Sequence, residues 1–239
     1  MSTAQGKEAF PMSIRTIEPR TSLALIHAEI TYTLIRLKTH PLGAPHIAAF
    51  EELRQTWTPV HAEELSLRES IAEAQARVDA ADDELDDFVG RLDKTMRIVT
   101  HDDRNHPLYR FFFGKKTPSA FRRPVLGAQL EAMRPWTAAL AGSDEPSLQS
   151  LGAELAPKIA AADDALKSRD AAIEARDHFR DLGPRKKLVD ALNATRKGTF
   201  GALSRLPHEK PGLPSSFADR FFRRDPAPAS VEPAAPAPV

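Results

Sequence analysis

Large apolar residues recur along this chain at steps of three and four, the spacing that gathers them on one face of an α-helix. The pattern is clearest where Leu67, Ile71, Ala74, Val78, Ala81, Leu85, Phe88 and Leu92 hold a heptad seam with charged residues on the other faces. Pro59 is read as a kink or a helix start, so the segment from there to Thr100 predicts a rod on the order of 60 Å. A rod of that length must lie against another long element. Leu148, Leu151, Leu155, Ile159, Ala162, Leu166 and Ile173 supply it, after Gly142-Ser143-Asp144-Glu145-Pro146, which reads as a helix exit, a cap and a first-turn proline.

Shorter stretches complete the picture. Leu23, Ile26, Ile30, Leu34 and Leu37 predict a helix over 21–39, capped by Thr21 or Ser22. Ile30, Tyr32 and Leu34 also alternate with Thr31 and Thr33 as a short strand would. No second strand is there to pair with it, and helix is the better reading. After a turn at His40-Pro41-Leu42-Gly43, helical spacing resumes over 44–57. Residues 124–142 and 184–206 give two more helices, the latter set off from the second arm by Gly183-Pro184. The fold class is all-α: an elongated antiparallel helical bundle with two long amphipathic arms, 59–100 against 146–182.

Residues 1–20 lack periodicity and read as a loosely ordered leader. A single helical-bundle domain spans 21–224. The final 225–239 holds five prolines in 15 residues and reads as a disordered tail. Trp57-Thr58 and Trp136-Thr137 match, as do the blocks 80–85 (AADDEL) and 161–166 (AADDAL). Segments 44–123 and 124–224 are therefore candidate pseudo-repeats. Unequal spacing to the following Phe runs favours a simpler account, that two arms with one packing job look alike.

Composition narrows the function classes. The chain has no cysteine, which removes disulfides, thiolate metal sites and a cysteine nucleophile. No signal peptide or transmembrane run is visible, so a soluble, cytoplasmic protein is expected. The net charge is zero but unevenly placed: residues 1–100 carry 11 Lys/Arg against 16 Asp/Glu, and 101–239 carry 22 against 17. Two halves that attract one another explain this more simply than a basic binding surface.

Candidate chemistry is thin. Nucleotide loops, the hydrolase elbow and the metalloprotease helix motif are missing, and no histidine has Glu three residues before it, as a bundle-core di-metal site wants. No cofactor is expected. His101, Asp103 and His106 could share a metal, but at a helix end beside a proline they read better as caps or solvated loop residues. The acidic run 82–87 sits inside the heptad and reads as a solvated face or a partner for basic residues.

The pieces that join large rings to cations are the candidate partner-binding residues. They are Tyr109, Arg110, Phe111, Phe112, Phe113, Lys115 and Lys116, then Arg220, Phe221, Phe222, Arg223 and Arg224. Arg185, Lys186 and Lys187 add cations on a helix. Both pieces follow long helices, and capping the exposed ends of the bundle is the better reading of the rings than stacking on nucleic acid or a membrane-surface wedge. The leading expectation is a non-catalytic structural or interaction protein that binds a protein partner or forms a homo-oligomer. Nucleic-acid binding through the basic second half is the alternative.

Overall fold

The computed structural model describes residues 14–122 and 126–223. The protein is all-α, and no strand occurs among the described residues. Its helices are α1 (Leu23–Lys38), α2 (Ile47–Val99), α3 (Pro107–Phe113), α4 (Pro118–Phe121), α5 (Ala128–Ala141), α6 (Pro146–Asp181) and α7 (Pro184–Glu209). Two 3-10 turns, Pro41–His46 and Ala218–Phe221, close loops. The chain packs as two compact units: unit 1 takes residues up to Glu63 and from His178 onward, and unit 2 takes Glu64–Asp177.

Pro59 neither ends nor starts a helix, because α2 continues through it from Ile47 to Val99. A proline inside a helix removes one hydrogen bond and costs about 3 kcal/mol, which packing on both sides of the position outweighs. Pro135, Pro157 and Pro207 are carried inside α5, α6 and α7 in the same way. Gly183-Pro184 does divide the second arm, with α6 ending at Asp181 and α7 opening on Pro184.

In unit 2, α2 and α6 run antiparallel, with Arg91 paired to Glu154 and Glu84 to Lys158. Val78, Leu85, Phe88 and Leu92 of the heptad seam are buried against Leu148, Leu155, Ile159 and Ala162. The two matching blocks meet here: Ala80 and Ala81 face Ala161 and Ala165 across a furrow of about 620 Å³. The acidic run serves the start of α5, a helix whose Gly127 cap supplies no side-chain hydrogen bond. Asp82 accepts from the Leu126 N–H at 3.1 Å, and Asp86 from the Gln129 amide at 2.8 Å.

Aromatic rings close the end of this core. Tyr109, Phe112, Phe113 and Phe121 are buried, and Phe112 and Phe113 stand edge-on to Trp136 with centroids 5.5 and 6.0 Å away. Unit 1 repeats the device, with Phe217, Phe221 and Phe222 buried and His40 edge-on to the first two.

In unit 1, α1 lies against the first turns of α2 and against α7. Ser22 caps α1 by accepting from the Leu25 N–H. The Trp57 indole N–H donates to the Leu23 carbonyl at 2.8 Å, and its ring lies between His27 and His61. Residues 14–20, read as part of a loose leader, are docked here. Ile17 is 1% exposed, and the Asn193 amide grips its backbone from both sides, accepting from its N–H at 2.8 Å and donating to its carbonyl at 2.9 Å. Residues 1–13 and the tail 224–239 lie outside the described residues.

Candidate interaction site

Most of the rings singled out in the sequence are core residues. Tyr109, Phe112, Phe113, Phe221 and Phe222 are buried, and only Phe111 stands in solvent, 56% exposed. Their cations divide between the units. Arg110, Lys115 and Lys116 are exposed in unit 2 and gather round a hollow with Tyr109 and Arg104. Arg220 and Arg223 are exposed in unit 1, while Arg224 lies outside the described residues.

The basic start of α7 is partly structural. Arg185 is buried and donates to the Thr21 carbonyl at 2.9 Å, and Lys186 pairs with Asp190 at 2.5 Å one turn along. Lys187 is exposed.

His106 and Asp103 act locally. His106 Nδ1 accepts from the Leu108 N–H, capping α3, and Asp103 accepts from the Asn105 N–H. Among the described residues no group of three or more His, Asp or Glu is placed to hold a metal ion.

The surface that the sequence reading missed is the outer face of α1. Its inner face, Leu23, Ile26, Ile30, Thr33, Leu34 and Leu37, is buried. On the opposite side Leu25, Tyr32 and Ile35 are 52%, 40% and 55% exposed. With Ala28 between them, they stand at steps of 3, 4 and 3 along one stripe. The neighbouring exposed position Ala24 is also uncharged, and the first exposed charge along α1 is Arg36 near its end.

A helix apolar on both faces belongs in an interior. The short helix of unit 2 shows the usual alternative. On the outside of α5, Glu131 and Arg134 are exposed, and Arg134 grips both oxygens of Asp163 at 2.7 and 2.9 Å. That pairing holds the Asp163 carboxyl below its ordinary range. No protein-family model, curated protein or solved structure matches the chain.

The inner side of α1 is fixed by a buried ion pair. Arg196 of α7 donates to Glu29 at 2.7 Å, with side chains only 2% and 5% exposed. The Arg15 guanidinium reaches the other Glu29 oxygen at 3.5 Å, and the Phe222 ring stands 5.5 Å from Arg196 Cζ. Alternative rotations of α1 would break this pair, so Leu25, Tyr32 and Ile35 are held outward. The sequence spacing named the buried face correctly, through Leu23, Ile26, Ile30, Leu34 and Leu37, but left Leu25 and Ile35 on the other side without a role.

Proposed function

We propose that the protein is a non-catalytic interaction bundle that pairs with a second copy of itself through the outer face of α1. The observation that carries this is the uncharged stripe of exposed Leu25, Tyr32 and Ile35 with half-buried Ala28, on a helix whose other face is already buried. A second copy fits the stripe because a two-fold contact can lay it against itself. Under a two-fold axis near Ile30, Leu25 faces Ile35 of the other copy and Ala28 faces Tyr32, small against large. These are the alternating layers of an antiparallel helix pair, and a two-fold contact must be self-complementary in this way.

The same reading treats the rest of the molecule as a rigid mount for α1, built from the Arg196–Glu29 pair, the Trp57 bond and the packed 3-10 turns. Nucleic-acid binding through the second half has thinner support, since stacking platforms need exposed rings and Phe111 alone of the five candidate Phe residues is one. Light scattering across a concentration series tests the proposal. The expected result is a dimer that Tyr32→Glu converts to a monomer of unchanged helicity. A monomer at every concentration overturns it.

A further inference from the structure

Many cations among the described residues are neutralised where they stand. Arg68, Arg91, Arg134, Lys158, Arg169 and Lys186 each have a carboxylate within 4 Å. The hollow at the α3–α4 turn of unit 2 gathers several that are not neutralised. Arg104, Arg110, Lys115 and Lys116 all line it, with Asn105 and Tyr109, and no carboxylate is among its lining residues. Arg104, Lys115 and Lys116 make no ion pair among the described residues. Four like charges round one concavity repel one another unless an anion joins them.

The turn is built to keep them there. Gly114 ends α3 at φ 59°, ψ −123°, backbone that side chains disfavour, and brings Lys115 and Lys116 to the hollow that Arg110 lines. Asn105 Oδ1 accepts from Arg110 Nη2 at 2.7 Å, which presets the guanidinium without neutralising it. Tyr109 adds no opposing charge. Its hydroxyl donates to Asp93 at 2.6 Å, and burial with that bond pushes the phenol up to about 12, so it stays neutral.

We infer that this hollow binds an oligophosphate, either free pyrophosphate or the diphosphate end of a nucleotide. A single carboxylate would offset one of the four charges. Two linked phosphoryl groups together carry about −3 near neutral pH and offset most of the four. Arginine forks and lysine ammoniums are the usual donors to such groups. The volume of about 280 Å³ admits the phosphates and leaves a nucleoside outside.

The test is calorimetric titration of the full chain with pyrophosphate, with ADP and with a single-stranded oligonucleotide, in about 50 mM salt to limit screening. Pyrophosphate is expected to bind, and Lys115→Ala with Lys116→Ala to weaken it by about tenfold or more. Both lysines are exposed, so the variant keeps its fold. Lys187→Ala, in unit 1, should leave the affinity unchanged. Equal affinity for pyrophosphate and ADP supports the phosphates alone as the ligand, and tighter ADP supports a nucleotide. No binding of either, binding that the double variant leaves untouched, or binding of the oligonucleotide alone overturns the inference.

Discussion

Arg196 donates to Glu29 across the interior of unit 1 at 2.7 Å, and neither side chain reaches solvent to any useful extent. A buried pair of this kind is weak evidence of net stability, because each charge has lost its hydration. Its value is in specificity: it permits one rotation of α1 against α7. Arg196→Met leaves Glu29 with only the long contact to Arg15 and should cost about 3–5 kcal/mol in urea unfolding. Glu29→Leu combined with Arg196→Met should recover most of that loss. If the double variant is as unstable as the single one, the pair is not the source of the cost.

Gly43 marks the tightest approach in unit 1. A Cβ there would lie 2.4 Å from the Leu37 carbonyl oxygen and 2.8 Å from Leu37 Cα. Both are backbone atoms, and no rotamer relieves the clash. Gly43→Ala should destabilise the protein by about 1–3 kcal/mol, read as a lower urea midpoint with an unchanged slope.

Asp82 gives a pH-dependent prediction. Burial, with Asp86, Asp83 and Asp79 nearby, raises its carboxyl above the usual range, although the Leu126 N–H pulls the other way. A raised folded value means that the stabilising contribution is present below the ordinary value of 3.8 and lost as pH rises through the folded one. Asp82→Asn keeps an oxygen for Leu126 without the charge. It should therefore raise the melting temperature at neutral pH and lose that advantage in acid below 3.8. A variant less stable than the parent at neutral pH would mean that the carboxylate's attraction to the start of α5 outweighs its burial.

Much of the fold was legible because it rests on spacing. The heptad residues Val78, Leu85, Phe88 and Leu92 and the α6 residues Leu148, Leu155 and Ile159 are all buried, and Ser22 caps α1. Of the two readings of Pro59, a kink or a helix start, the start fails because local propensity cannot register the packing that carries α2 through it. Ile17 was invisible as a core residue because one apolar position without periodicity gives no signal, and its anchor, Asn193, lies 176 residues away. The aromatic-basic pieces were visible as composition. Which rings would be buried depended on Trp136 and His40, partners that no local window contains. The α1 stripe was missed for another reason: the spacing of Leu23, Ile26, Ile30, Leu34 and Leu37 fixed the buried face, and the apolar residues left over, Leu25 and Ile35, were given no role.

The absence of cysteine from the chain allows the central claim to be tested directly. Leu25→Cys and Ile35→Cys are made separately, purified, mixed and oxidised gently. In the antiparallel pair each residue 25 faces a residue 35, within the reach of a disulfide. The two residues 25 stand ten residues apart along the axis, about 15 Å at 1.5 Å per residue. The account predicts a disulfide-linked dimer from the mixture and little or none from either variant alone. Equal cross-linking of Leu25→Cys by itself, or none from the mixture at concentrations where the protein is dimeric, would contradict it.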